Sequence, residues 1–583
     1  MSTLQSDKAA KATESFKKKM TRQAILSLGA CVHCGQCTES CHYYLVTLDP
    51  KMAPAYKADQ VRKIYKKHFD WLGRVFPSWV GGKDLEKDED LLDLMDVVFG
   101  SCTMCRRCTL SCPMGVDKAL IMRTARGVLT ELGIAPEGVK QVAKDQWETG
   151  NQMAVSKEEY LETLDWLSDQ LESELGDPFA RIPIDKRGVD ILYAVNPREV
   201  KYAPLSLLAV AKIFYVVGAS WTMPSEGWDN TNFGLFNGDN ALGAHMGNLV
   251  FDACERLEVK RLVTSECGHG FRSTAWESPN WTKRDLKFPI LNVLEVVDGY
   301  IRDGKLTFDR SVNDIAVTYH DPCNLARSSG FTEEPRRVLK HCVADFREMH
   351  PNRADNFCCS GGGGAMSMSE YTRRRLEVSK VKADQLRATG ASVVATACHN
   401  CIDGLSDCIR HHKVGMKVST VCELAAEALV VAPREFVPVR VPVAAEAGRL
   451  ILVVDDEPDI GTYLTTLFEN EGLEPVWVDN AEVAWKAVVT NPPDLITLDI
   501  LMPGKSGISF YRRLRTTEET KDIPVVFITG CNPASGHIDA RKYLYSRSQL
   551  PPPEGFLDKP VDRQELMLTI RKILEMRSQV RVT

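Results

Sequence analysis

Eight cysteines near the start of the chain carry the first chemical signal. Cys31, Cys34, Cys37 and Cys41 follow a C-x2-C-x2-C-x3-C spacing, and Cys102, Cys105, Cys108 and Cys112 repeat it, the second run continuing into Pro113. Cross-linking, metal binding and thiol chemistry all have to be weighed for cysteines packed this densely. A structural zinc site closes four ligands into a tetrahedron, usually as two distant pairs. Runs this short instead wrap the chain around the corners of a cube-shaped cluster, and their duplication predicts two 4Fe-4S clusters. The preceding segment, MSTLQSDKAAKATESFKKKM, has no apolar h-region, so the expected compartment is a reducing cytoplasm. Nineteen cysteines are not expected to pair as disulfides there.

The double run resembles that of two-cluster ferredoxins. That resemblance implies that the fourth cysteine of each run serves the other cluster, so that Cys31, Cys34 and Cys37 join Cys112, and Cys102, Cys105 and Cys108 join Cys41. His42 stands where the second run has Pro113, a departure that bears on the local turn more than on the ligand count.

A second set of thiols lies farther on. YHDPCNLAR supplies Cys323, FCCSGGGG supplies Cys358 and Cys359, and TACHNC supplies Cys398 and Cys401. These five converge if the strand ends that carry them lie together at one edge of a parallel sheet. The set resembles the CCG domain of the heterodisulfide reductase family, although its second gap is slightly longer than that family's usual one. The resemblance implies a non-cubane 4Fe-4S cluster held by Cys323, Cys358, Cys359, Cys398 and Cys401, which would be the catalytic cysteines. Gly361 to Gly364 suit a tight turn that lets backbone approach a cluster, or else a flexible loop. His320 and His399, beside the ligands, are candidates for hydrogen bonds to cluster sulfur.

In that family the CCG domain is usually doubled, and residues 191–273 look like an earlier copy in decay. Its first strand, ILYAVNP, has no cysteine, and SECGHGFR keeps Cys267 and His269 of the final pair. A second full cluster is therefore not expected, and Cys267 is either a contact of the surviving cluster or a plain buried thiol. Over residues 21–432 the chain resembles the cytoplasmic iron–sulfur subunit of the sulfite-reduction membrane complex (DsrK type) and related subunits (HmcF and TmcB types). Cys254, Cys342, Cys408, Cys422 and Cys531 have no metal spacing and read as packed small hydrophobes.

Opening a disulfide takes two electrons, whereas each cubane passes one at a time. The first functional reading is thus an oxidoreductase subunit that moves electrons between redox partners, membrane-bound or soluble, and a disulfide or trisulfide. The substrate is a disulfide-bearing protein of the DsrC kind or a small thiol compound. An electron-transfer and signalling adaptor is the alternative. Peripheral attachment to the inner face of the membrane through a partner subunit is the expected location.

The C-terminal segment carries a third chemistry. ILVVDDEP, LITLDILMPGKSG, PVVFITG and FLDKP occur in order, and this resembles a response-regulator receiver domain. The resemblance implies Mg2+ on Asp455, Asp456 and Asp499, phosphorylation of Asp499, a pairing cation in Lys559, a responding hydroxyl in Thr529, and a histidine kinase as a possible partner.

These residues need elements to hold them. Lys57–Phe69, Asp117–Leu132 and Asp145–Leu175 read as helices, and the apolar stretch Leu205–Trp221 as a buried core helix. From Ile191 onward, short apolar strands (ILYAV, RLVTS, IAVTYHDP, ASVVATAC) alternate with helices, as in a layered α/β domain. The expected fold is multidomain. It comprises an N-terminal tail (1–20), an α-helical two-cluster ferredoxin-like domain (21–145), a helical connector (146–185), and a duplicated α/β CCG domain with a degenerate half (186–300) and an intact half (301–432). A Pro- and Val-rich linker (433–448) and a doubly wound (βα)5 receiver (449–583) complete it. A net charge of -6 argues against nucleic acid as a partner, and the basic run Lys17 to Lys19 reads as a solvated helix end.

Overall fold

The computed structural model describes residues 2–177, 180–431, 449–499, 502, 507–529, 551, 553–559 and 561–580. Residues 1–432 and 433–583 form two compact units. The expected linker at 433–448 lies outside the described residues.

The first unit begins with helices. Helix α1 (Ser2–Lys19) is no tail, contrary to expectation. Ala9, Ala12 and Phe16 fall on one face at helical spacing, and all three are buried. Removing Phe16 from water contributes roughly 1.5–3 kcal/mol toward holding the segment down. Helix α2 (Pro54–His68) starts with proline at its first position, where no N–H is missed. Helix α4 (Lys118–Glu131) is capped by Asp117, which accepts from Leu120 N at 3.1 Å. Between them lies the short α3 (Trp71–Val75).

The helix expected over 145–175 is two. Helix α5 (Glu137–Thr149) ends where Gly150 turns left-handed at φ 73°, and α6 (Lys157–Leu175) restarts with Ser156 as its cap. The expected boundary at 145 thus falls inside α5, and that at 300 inside the helix Val293–Arg302.

Two four-stranded parallel sheets follow. The first has the order β2 (Trp221–Thr222), β1 (Ile191–Ala194), β3 (Arg261–Thr264), β4 (Ile290–Asn292). The second has the order β6 (Asp345–Arg347), β5 (Ala316–His320), β7 (Val393–Thr396), β8 (Lys417–Ser419). The strand order is the same in both, which is the structural form of the duplication. Strands β1 and β7 are buried along their whole length, as continuous apolar runs covered on both faces must be. Helix α7 (Pro204–Val216) is the expected core helix. It packs on α10 (Val421–Glu427) of the other half, and Lys212 reaches out to Glu174 at 3.4 Å.

The second unit is a five-stranded parallel sheet, ordered β10 (Glu474–Val478), β9 (Leu450–Val454), β11 (Leu495–Leu498), β12 (Val525–Thr529), β13 (Gly555–Asp558). Helices α11 (Pro458–Asn470), α12 (Ala481–Thr490), α13 (Gly507–Thr516) and α14 (Arg563–Val580) accompany it. The crossover from β12 to β13 runs through 530–550, outside the described residues, as does Cys531.

Candidate functional site

The two N-terminal runs fold into two pockets, and each pocket mixes the runs. The smaller is lined by Cys31, Cys34, Cys37 and Cys112. The larger is lined by Cys41, Cys102, Cys105 and Cys108. Left-handed turns coil the chain around them: His33 (φ 56°) and Gly35 (φ 79°) in the first run, Met104 (φ 52°) and Arg106 (φ 63°) in the second. Non-glycine residues in this region carry strain that surrounding structure must hold in place.

Two buried lysines face the sulfurs. Lys118 lines both pockets. Lys57 places Nζ 3.8 Å from Cys41 Sγ and donates to the Ser101 carbonyl. A buried ammonium without a carboxylate partner nearby is costly, and a set of thiolates is the charge that offsets it. Burial pushes the Cys37, Cys102 and Cys108 thiols up, so an uncompensated pocket disfavours the thiolate that the lysines favour. Four soft sulfur donors and a cation fit an iron–sulfur group better than a hard cation.

The second thiol set sits at the C-terminal ends of adjacent strands. Cys323 opens α8 (Cys323–Ser329) just past β5, and Cys398 caps α9 (His399–His412) just past β7, with Cys401 in its first turn. Cys358 and Cys359 arrive on the loop before Gly361. All five are buried, and Cys359 Sγ lies 3.3 Å from Cys401 Sγ. Cys358, Cys359, Cys398 and Cys401 pack in one cluster. Bonds from Cys358 and Cys401 hold the Cys359 thiol well below its usual range against the effect of burial.

Two further thiols reach this set. Cys105, which lines the larger pocket, packs against the cluster of Cys358, Cys359, Cys398 and Cys401. Cys267, from the degenerate half, has its thiol pushed up by the neighbouring Cys398 as well as by burial, and accepts from Asn196 Nδ2 and Gly270 N, both at 3.3 Å. Of the two readings open for Cys267, contact with the site is what the structure supports.

Polar side chains then fix the surroundings. Asn356 donates to His320 Nδ1 at 3.0 Å, and its orientation is set by Lys382 Nζ donating to Oδ1 at 2.7 Å. With Nδ1 accepting, the proton of His320 sits on Nε2, which is buried without a nitrogen or oxygen partner and faces Cys359 and Cys401. That orphan donor is suited to sulfur. Burial, and then the nearby Lys382, lower the pKa of His320 and keep the ring neutral. His399 instead meets Glu199 of the degenerate half at 3.2 Å. Burial opposes its charge, but Glu199 holds its pKa up.

Arg126 and the glycines tie the two sites together. The fully buried Arg126 donates to the carbonyls of Val98, Cys102, Phe236 and Gly363, at 2.6–3.0 Å. Burial lowers its pKa to about 10, so it remains a cation at neutral pH. Gly363 is left-handed (φ 67°), and a Cβ there would sit 2.6 Å from the Thr103 carbonyl oxygen. The close approach expected of Gly361 to Gly364 is thus an approach to the second cysteine run and, at Gly361, to Asn400. Nothing in the sequence pointed to Arg126, Lys57, Asn356 or Lys382. Isolated polar residues in helices and loops give no sign of burial before the fold is known.

In the receiver unit, oxygens of Asp455, Asp456 and Asp499 lie within 4.8 Å of one another. Lys559 Nζ reaches Asp499 at 2.7 Å, Asp455 at 2.9 Å and Glu457 at 2.9 Å. Burial raises the Asp455 and Asp456 carboxyls, with Asp499 adding like charge. Burial works against the Lys559 ammonium, yet the bonds to Asp499 and Asp455 hold its pKa above the usual range. Thr529 ends β12, in register with Asp558; its side chain lies outside what is described.

Comparison with known proteins matches three stretches. Residues 27–116 match the 4Fe-4S dicluster domain, 317–405 the cysteine-rich CCG domain and 451–571 the response regulator receiver domain. The Hdr-like menaquinol oxidoreductase iron–sulfur subunit 2 of Archaeoglobus fulgidus is 28% identical over 459 residues, covering 70% of this chain and 81% of that one. A dihydromethanophenazine:CoB–CoM heterodisulfide reductase subunit of Methanosarcina mazei is 27% identical, covering 71% of this chain and 96% of its own. Among solved structures, a receiver domain from Methanoculleus marisnigri is 30% identical over 21% of this chain and 95% of its own, with a TM-score of 0.17. The chain joins a heterodisulfide-reductase-like iron–sulfur subunit of the CCG-domain type to a C-terminal response-regulator receiver domain.

Proposed function

We propose that the first unit is a thiol/disulfide oxidoreductase subunit that takes electrons into, or out of, a disulfide or trisulfide at the five-thiol site. Cys31, Cys34, Cys37 and Cys112 would hold one 4Fe-4S cubane, and Cys41, Cys102, Cys105 and Cys108 the other. Cys323, Cys358, Cys359, Cys398 and Cys401 would hold a non-cubane 4Fe-4S cluster. Bound there, the clusters supply the single-electron steps of which a disulfide, RSSR′ + 2e⁻ + 2H⁺ → RSH + R′SH, needs two.

The observation that carries this reading is the packing of Cys105 against the cluster of Cys358, Cys359, Cys398 and Cys401, which makes one thiol a wall of both sites. Lys57 and Lys118 offset thiolate charge, and Arg126 fixes the separation of the two sites. His320 Nε2 presents a proton donor to the sulfurs, while burial of all five cysteines keeps water out. Partners would be redox subunits of a larger complex, as the names of the relatives suggest for those proteins.

For the second unit, Asp499 would accept a phosphoryl group from a histidine kinase or a small phosphodonor, the bond forming at its carboxylate oxygen as the donor's bond to phosphorus breaks. Asp455, Asp456 and Asp499 would hold Mg2+, which offsets the incoming charge. Lys559 would pair with the phosphoryl oxygens and Thr529 would respond to them, changing partner docking or substrate access.

Anaerobically purified chain should contain iron and labile sulfide for three clusters by elemental counting and EPR. A Cys359→Ala variant should keep two cubane signals reducible by dithionite and lose disulfide turnover. Full turnover in that variant would reject the catalytic assignment and leave an electron-transfer adaptor.

A further inference from the structure

One surface of the first unit is built to meet something apolar and negatively charged. Trp71 and Trp79 are 79% and 78% exposed, and Val75 and Phe76 beside them are 63% and 55% exposed. Four large apolar side chains thus stand in water within nine residues, far more than isolated surface leucines explain. The ridge is a formed structure. Asp70 caps α3, accepting from Leu72 N and Gly73 N at 3.0 Å. A side chain at Gly73 would collide with the Lys66 carbonyl, so glycine there lets α3 fold back hard against the end of α2. Beyond the ridge, Gly82 N donates to Pro77 O at 2.7 Å, and Lys83 N donates to Lys63 O at 3.1 Å, closing the segment onto α2. Trp79 and Phe76 pack edge to face.

Basic residues flank the ridge. From Lys63 to Lys83 there are five lysines and arginines against the single Asp70, with Asp84 and Glu86 following; Lys66 pairs with Asp70, Lys67 with Asp84 and Lys83 with Glu86, and Lys63 and Arg74 meet no carboxylate among the described residues. Beside the ridge lies a groove lined by Lys17, Lys67, His68 and Arg74. Asp84 answers Lys67 and His68 in it, while Lys17 meets Glu14. Lys18 and Lys19 follow Lys17 at the end of α1.

Exposed tryptophans flanked by basic side chains match the two layers of a membrane surface. Indole rings settle at the boundary between headgroups and acyl chains, and lysine and arginine meet anionic headgroups. No described helix is long and apolar enough to cross a bilayer, so the contact would be interfacial. We propose that the Trp71–Trp79 ridge and its basic flank are a lipid-docking element, by which this chain itself sits on an anionic membrane surface. The proposal stands apart from any assignment of substrate or clusters.

The test uses the full chain, purified anaerobically, with vesicles of phosphatidylglycerol and phosphatidylethanolamine. The wild type should co-sediment with them, and its tryptophan emission should be quenched by lipids brominated on their acyl chains. A Trp71→Ser/Trp79→Ser double variant changes only exposed side chains and should keep its melting temperature. It should bind about tenfold or more weakly and lose the quenching. Arg74→Glu should weaken binding to anionic vesicles and leave the weaker binding to pure phosphatidylcholine unchanged. A wild type that stays in solution overturns the proposal and makes the ridge a face for another protein. A double variant that binds as well as the wild type overturns it too, because some other surface would then hold the lipid.

Discussion

Cys105 and Arg126 show how single side chains couple the two thiol sites. Cys105 lines the larger pocket and packs against the cluster that contains Cys358, so Cys105→Ser should remove one cubane EPR signal and shift the signal of the five-thiol site without abolishing it. Cys34→Ser, in the other pocket and exposed, should remove the other cubane signal and leave the five-thiol signal where it was. Equal shifts in the two variants would mean the contact is not a coupling. Arg126 supplies donors to three buried carbonyls and one half-buried one, and Arg126→Met removes all four bonds. A destabilisation of at least about 3 kcal/mol is expected, read from denaturant unfolding of the cluster-loaded chain. The cysteines were legible in the sequence because metal ligation imposes spacing. Arg126 was not, because its role depends on four carbonyls from three distant segments, and no local pattern announces such a meeting.

At the scale of elements, the joint between the halves rests on the start of a helix. Glu266, one residue before Cys267, accepts from Val421 N at 2.9 Å and Cys422 N at 3.0 Å, filling the first donors of α10 from the opposite half. Burial pushes its carboxyl up to about 7. A carboxyl whose folded pKa is raised adds stability that is complete below its unfolded pKa and is lost as pH rises through the folded one. Relative to a Glu266→Gln variant, the wild type should therefore lose roughly 3 kcal/mol between pH of about 4.5 and 7, and no more above. Thermal melts of both chains across that range read the difference, and a constant gap would show that the helix dipole keeps Glu266 ionised throughout. Gly363→Ala should push the glycine loop off Thr103, lowering stability and weakening any spin coupling between the two sites, because its Cβ would fall inside contact distance at a left-handed φ. Strands and buried helices were readable here because their apolar runs are continuous. The break between α5 and α6 was missed because Gly150 sits in an otherwise amphipathic stretch, and α1 because a polar-rich helix can bury a narrow face of alanines and one phenylalanine.

The whole molecule is two compact units with separate cores. A chain ending at residue 431 should fold and load iron like the full chain, and a fragment from 449 to 583 should take phosphate from a small phosphodonor with Mg2+. In the full chain, phosphorylation should move partner affinity or disulfide turnover, and Asp499→Asn should not respond; phosphate uptake with neither quantity moving would end the regulatory reading. The duplicated sheets were visible in the sequence as a decayed repeat, and the receiver as an ordered set of strand-end residues. The mixing of the two cysteine runs has a further consequence for how the protein is made. The larger pocket lacks its fourth sulfur until residue 108 has been synthesised and the smaller one until residue 112, so a nascent chain bearing the first run alone offers three cysteines to one pocket, one to the other, and no complete site. The five-thiol site waits for Cys401, about 290 residues later. At roughly 5–20 residues per second that is about 15–60 s during which the N-terminal pockets can be complete while the wall that the larger one shares with the five-thiol site stands open to oxidants. Cluster loading on the ribosome would thus leave Cys105 exposed, whereas loading after release would not, and the order of iron delivery becomes part of the protein's tolerance to air.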